Sequence, residues 1–279
     1  MNAPFLERLQ VAAEANQSWL CVGLDPEPSL VPSSARGADP LDWVPRFLLG
    51  IIEATQDLVC CYKPNLAFFE AFGPPGWDML RRTLQAMPAN IPKLGDAKRG
   101  DTAHTMRAYA RGLFDELGFD AVTVNPYLGG DTLEPFFAYP DRGVFVLCKT
   151  SNPGSGELQN VEVGGEPLYT YVARRALGWD QHGTLGLVVG ATYPAELAAV
   201  RAIAPRAPIL VPGVGAQAGE LEASVRAGVD ADGGRAIISA SRSVLYASAE
   251  GDWQAAARRE ADRLRQAIQT ATRLASRPV

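Results

Sequence analysis

Short runs rich in aliphatic and β-branched residues recur along the chain. Each closes in a polar or glycine-containing turn, and apolar residues then return with helical period. The runs are WLCVGLD (19–25), LVCCYKPN (58–65), IPKLGDAK (91–98), AVTVNP (121–126), VFVLCKTSN (144–152), LGLVVGAT (185–192), PILVPGVG (208–215) and AIISASR (236–242). Helix candidates lie between them, among them LDWVPRFLLGIIEAT, WDMLRRTLQAM, HTMRAYARGLFDEL, PLYTYVARRALGW, PAELAAVRAIA and AGELEASVRAG; several stop at Gly or Pro, as helices do.

Eight β-then-α units without a second compositional regime predict an α/β fold, a single (β/α)8 TIM barrel. A strand count alone leaves an open doubly wound sheet as the alternative. The barrel is expected to take in the whole chain, 1–279, with the segment after Ala249 forming a C-terminal helical extension that covers it. At 279 residues, 47% hydrophobic and 20% charged, the chain has the length of one such barrel and can bury a large core.

Charge narrows the functions. A net charge of −5 argues against nonspecific nucleic-acid binding, so an anionic ligand has to be held by local groups. No apolar run is long enough to span a bilayer, and MNAPFLERLQVAAEANQ lacks a basic segment followed by an apolar core. No membrane contact and a cytoplasmic setting are therefore expected. Cys21, Cys60, Cys61 and Cys148 sit in apolar runs without C-x-x-C spacing and are expected as buried free thiols, with the adjacent pair on opposite strand faces. His104 and His182 have no metal-ligand spacing around them, so no metal site is expected.

In a (β/α)8 barrel, reactive groups come from the C-terminal ends of strands and the loops beyond. Here Asp25 ends the first run, Lys63 and Asn65 the second, Asp96 and Lys98 the third, Asn125 the fourth, and Thr150, Ser151 and Asn152 the fifth. The eighth ends at Ser241 and Arg242. Taken singly, Asp25 before Pro26 or Asn125 before Pro126 could merely cap a turn; the shared rim is the stronger sign.

Strand alternation puts Leu94, Asp96 and Lys98 on one face, toward the barrel axis, with Lys93, Gly95 and Ala97 on the other. An isolated buried charge is disfavoured, so Asp96 and Lys98 are expected to pair, with Lys63 and Asp101 extending them into an alternating row. A structural ion pair plugging the barrel mouth, or a solvated loop, are the plainer alternatives. The glycines of PGVGAQAG let backbone N–H groups approach an anion, and Arg242 supplies a charged fork beside them; together they point to a phosphorylated small molecule.

From Trp19 to Tyr246 the chain resembles the orotidine 5'-phosphate decarboxylase family, in its longer bacterial branch. The resemblance is carried by VGLDP, YKPN, DAKRGD, VNPYLG, LCKTSNPGS, VVGAT, VPGVGAQ and SASRSVLYA. It implies a lyase of UMP biosynthesis that converts orotidine 5'-monophosphate to uridine 5'-monophosphate and CO2 without metal or organic cofactor. By that resemblance Lys98 delivers the proton to C6, Asp96 lies beside the substrate carboxylate, and Lys63 orients the row. Asp101, accompanied by Thr105, completes the site of the other subunit of a homodimer. Asp25 and Asn65 contact the ribose or its surroundings, Ser151 the pyrimidine edge, and Gln217, Ser241 and Arg242 the phosphate.

Thr102, where the family often has isoleucine, and Lys93 and Gly95, where larger apolar residues are common, depart from the pattern. A magnesium-dependent sugar-phosphate lyase of the related barrels is the enzymatic alternative, although Lys63 would repel a cation there. A non-catalytic nucleotide-binding barrel is the other. Two segments are candidate lids: SNPGSGELQNVEVGGEP after the fifth run, and the turn bearing Gln217.

Overall fold

The computed structural model describes residues 3–213 and 218–275. Eight parallel strands run through it: β1 (Leu20–Leu24), β2 (Cys61–Pro64), β3 (Leu94–Arg99), β4 (Ala121–Val124), β5 (Gly143–Lys149), β6 (Leu185–Val189), β7 (Ile209–Pro212) and β8 (Ala236–Ala240). The sheet is ordered β2-β1-β8-β7-β6-β5-β4-β3. Two bridges, Tyr62 with Lys93 and Asn65 with Asp96, bring its edges together. The result is a nearly closed barrel, as the alternation of elements predicts, and not an open sheet.

The strands are near-continuous apolar runs because they are covered on both faces, by helices outside and by one another's side chains within. Helix Pro40–Thr55 shows how an element is started: the Asp39 carboxylate accepts the Leu41 N–H (2.9 Å), and Pro40 stands where no donor is needed. The 23-residue helix Trp253–Ala275 lies against helices Pro40–Thr55 and Ala218–Gly228, burying Ala257, Ala261, Leu264 and Ile268 along one stripe. No helix among the described residues is long and apolar enough to cross a membrane.

Helix α1 (Phe5–Ala15) closes the barrel at the N-terminal ends of the strands. Its Phe5, Leu9 and Ala13 pack with Cys21, Cys61, Leu94, Ala121, Phe145 and Ile237 into a dry inner layer. Gly143 makes this possible, since a Cβ there would come within 2.5 Å of the Phe5 ring. Arg8 of the same helix pairs with Asp120 at the start of β4.

The four cysteines are free and buried. Their expected arrangement needs one correction. Cys60 precedes β2 and is not part of it, so alternation does not separate it from Cys61. The two thiols share the inner layer, with Sγ atoms 3.9 Å apart. Burial pushes the thiols of Cys21 and Cys148 up, and that of Cys61 is also raised, with Cys60 beside it; all three stay protonated and unreactive.

Candidate active site

Two residues above the dry layer, the inward face turns polar. Lys63 follows Cys61 on β2, Asp96 follows Leu94 on β3, and Thr123 follows Ala121 on β4. Lys63 Nζ donates to Asp96 Oδ2 (2.9 Å), and Lys98 Nζ donates to Asp96 Oδ1 (2.5 Å). One carboxylate thus holds two ammonium groups, each on its own oxygen.

Lys63 is only 4% exposed and Asp96 9%, so each charge is tolerated because the other satisfies it. Burial alone would lift the Asp96 carboxyl; Lys63 and Lys98 overcome that and hold it well below the usual carboxylate range. Burial alone would likewise lower Lys63, but the carboxylates of Asp96 and Asp25 outweigh it and keep the ammonium above the usual lysine range. Lys63 and Asp96 are therefore both ionised at neutral pH.

Lys63 and Asp96 open into a cavity of about 860 Å³ lined also by Asp25, Asn65, Ser241 and Arg242, while Lys98, its side chain half-exposed, reaches Asp96 from beside it. Gly23 leaves room for Ser241, whose Oγ would lie 1.9 Å from a Cβ at that position. Asp25 Oδ1 is buried with no hydrogen-bond partner among the described residues. An acceptor left in that state is positioned for a donor from a ligand, as a sugar hydroxyl would be. Asn65 caps the short helix Leu66–Glu70 through its side-chain oxygen, which accepts the Ala67 N–H. Its amide N–H groups are left for the cavity. Arg242 is solvent-exposed on the first turn after β8.

Other expected residues lie outside that wall. Ser151 sits behind it, its Oγ 3.2 Å from where a Cβ on the cavity-lining Gly213 would be. Gln217 lies outside the described residues. Asp101 does not extend the row within this chain: its Oδ1 accepts the Thr102 N–H (2.7 Å), and both Asp101 and Thr105 are partly open to solvent. Thr102 is exposed. Gly95 faces outward as alternation predicts, and the ring of Phe119 fills the space a larger side chain would take.

Segment 151–167, the first candidate lid, is tied down in this structure. It folds into a short helix, Gly156–Gln159, and a two-strand hairpin, Glu162–Val163 with Glu166–Pro167. The fully buried Lys149 at the end of β5 donates to Ser155 Oγ (3.1 Å) and Asn160 Oδ1 (2.8 Å) and lies 4.9 Å from the Tyr193 ring centre.

Sequence reasoning passed over Lys149, Thr123 and Tyr246. Tyr246 donates its hydroxyl to the Asp25 carbonyl (2.9 Å) and accepts the Glu27 N–H (2.7 Å), clamping the loop after β1 to the segment after β8. Burial pushes its phenol up to about 12, so it stays a donor. Thr123 carried a readable sign: it is a hydroxyl at an inward position of an otherwise apolar strand. Among the described residues, no group of three or more His, Cys, Asp or Glu side chains is placed to hold a metal ion.

The model of the orotidine 5'-phosphate decarboxylase / HUMPS family matches residues 18–259. The orotidine 5'-phosphate decarboxylase of Roseiflexus castenholzii is 52% identical over 271 residues, covering 96% of this chain and 98% of its own. That of Thermomicrobium roseum is 50% identical over 268 residues, 95% of either chain. The solved structure of Leishmania donovani OMP decarboxylase superposes with a TM-score of 0.83 at 44% identity, covering 96% of this chain and 99% of that one. With the match running through the whole charged row and the cavity wall, and relatives half identical along nearly its full length, the chain belongs to the orotidine 5'-phosphate decarboxylase family.

Proposed function

We propose that this protein converts orotidine 5'-monophosphate to uridine 5'-monophosphate and CO2, a step of pyrimidine nucleotide synthesis, and that Lys98 protonates C6. The observation that carries the reading is the Lys63–Asp96–Lys98 row, both lysines hydrogen-bonded to one carboxylate, beside a cavity whose wall also holds Arg242. Loss of CO2 leaves an electron pair on a ring carbon. An ammonium fixed beside that carbon before the reaction stabilises the developing charge more than it stabilises the bound substrate. It then delivers its proton to the carbanion.

Asp96 is the group that fixes Lys98, and Lys63 keeps Asp96 ionised and in place. Arg242 and Ser241 hold the phosphate, joined by Gln217. Asp25 and Asn65 take the ribose, and Ser151 the pyrimidine edge. Phosphate binding remote from the reacting carbon holds the substrate for reaction. The chemistry asks for no metal or organic cofactor.

The catalytic unit is a homodimer in which Asp101 and Thr105 of one subunit complete the row of the other. Two features support this: Asp101 stands outside its own chain's row, and the neighbouring loop exposes Tyr127 (78%) and Leu128, apolar surface suited to a partner. The whole chain acts as one barrel unit with its C-terminal helix, in the cytoplasm, where its free thiols persist.

The first test follows the loss of orotidine monophosphate absorbance with purified protein in excess EDTA, beside Lys98→Ala. Native turnover is expected to continue under EDTA, and Lys98→Ala is expected to lose at least about 10³-fold in kcat. Binding of the nucleotide without turnover would end the enzymatic reading. The dimer is tested by mixing Lys98→Ala with Asp101→Ala, each nearly inactive alone. If Asp101 crosses the interface, exchanged dimers hold one intact site each, and an equal mixture regains about a quarter of the native rate. No recovery after subunit exchange would put Asp101 in its own subunit's site.

A further inference from the structure

The backbone around Lys98 is not that of a regular strand. Lys98 has φ +47°, in the left-handed region that a lysine rarely occupies. The pairing of β3 with β4 is irregular there: Gly95 pairs with Val122 and Arg99 with Val124, so residues 96, 97 and 98 stand opposite Thr123 alone. A bulge of this kind removes the ladder partner of at least one main-chain N–H while re-aiming a side chain.

The hydroxyl of Thr123, 1% exposed, replaces that partner. Thr123 Oγ1 accepts the Lys98 main-chain N–H (3.0 Å) and donates its own proton to Asp96 Oδ1 (2.9 Å). The same Asp96 oxygen accepts from Lys98 Nζ. One hydroxyl therefore holds both ends of Lys98: the main chain directly, and the ammonium through the carboxylate it docks on. It uses its single donor and one lone pair to do so, which leaves the orientation of the group no freedom.

We infer that Thr123 is a positioning residue for decarboxylation, its hydroxyl locking the bulged backbone of Lys98 and the Asp96 carboxylate into one arrangement that aims the Lys98 ammonium at the reacting carbon. The inference rests on Lys98 being the proton donor. The hydroxyl of Thr123 is engaged by Lys98 and Asp96, so its effect falls on the chemical step and not on nucleotide binding. The phosphate end, at Arg242, is independent of it.

The test compares Thr123→Val, Thr123→Ala and Thr123→Ser. Valine keeps the shape of threonine and removes the hydroxyl, whereas the Ser and Ala variants differ from each other by one oxygen. Expected are a fall in kcat of about 10- to 100-fold for Val and Ala with KM within about threefold of native, since misplacing a reacting group by a fraction of an ångström is felt in the chemical step. Serine is expected to restore kcat to within about threefold.

A merely structural role would move KM and the melting temperature together and would not depend on the oxygen. If the valine variant fails to fold, the Ser–Ala pair decides. Equal kcat in Ser and Ala, or native kcat in Val, overturns the inference. Lys98→Ala assayed alongside separates the two ideas: native turnover in that variant would remove Lys98 as donor, and the role of Thr123 with it, whatever the Thr123 variants do.

Discussion

Two layers of the same barrel interior, one step apart along the same strands, have opposite chemistry. Cys61, Leu94, Ala121 and Ile237 form part of the lower layer; Lys63, Asp96, Thr123 and Ser239, each two residues further on, face the same way in the upper one. The step is about 6.6 Å. Below, α1 seals a layer of apolar side chains and thiols, which are stable there without a strong polar partner. Above, the interior meets a cavity, and the charges of Lys63 and Asp96 persist because they are partnered within the same layer. What differs between the layers is the supply of partners, since both are buried.

That contrast is most severely challenged by moving a carboxylate down one step. Leu94→Asp puts an acid into the dry layer, one step below the cations of the row. Its pKa should rise by several units, and the protein should lose about 4–7 kcal/mol at pH 7. Because the folded-state pKa is raised, the penalty is full above it and shrinks as pH falls toward the ordinary carboxylate value near 4. Urea unfolding at pH 7 and pH 5 should therefore show the variant more nearly native at pH 5. Equal deficits at both values would mean that the lower layer is not dry.

Removing the partner from the upper layer is the complementary experiment. Asp96→Asn leaves two ammonium groups facing a neutral amide and should cost about 3–5 kcal/mol together with nearly all turnover. The native Asp96 carboxyl is held well below the usual range, so the sign is opposite to that of Leu94→Asp. The advantage of native over variant is complete above about pH 4 and fades as pH falls from there toward the lower folded-state value. A variant as stable as native at pH 7 would show that the row contributes aim without stability.

The smallest effect sharpens the boundary between the layers. Cys60→Ser replaces a thiol of the dry layer by a hydroxyl that has to find a partner, at a cost of about 1–3 kcal/mol by chemical denaturation. Turnover should be unchanged, since Cys60 does not touch the row. A simultaneous fall in kcat would mean that the layers are coupled.

The alternation of apolar runs with helical periods made the eight strands legible, because each strand's pattern is a local property, while their closure rested on their number and not on any pattern. The inward direction of Asp96 was legible for the same reason, as was its pairing with Lys98 from the cost of leaving either alone. Three features were not. The bulge at Lys98 arises from how β3 meets β4, and no property of GDAKRG reveals which partner residue faces it. Cys60 was misassigned because β2 begins at Cys61, three residues into the apolar run, and alternation holds only inside a strand. Asp101 follows a turn, beyond the reach of strand geometry, and pairs with its neighbour's N–H and not with the row.

Helix α1 also imposes an order on events. It is synthesised ahead of every strand it seals; its Arg8 finds a partner in Asp120, 112 positions later, and Phe5 waits longer still, for the ring of Phe145. At about 5–20 residues per second, Phe5 waits roughly 7–28 s for Phe145 while the chain is being made. The helix that excludes water from the finished barrel thus spends much of synthesis without shelter, as does β1, whose Leu20 pairs with Ile238 only near the end, and both are segments on which a chaperone's protection would matter.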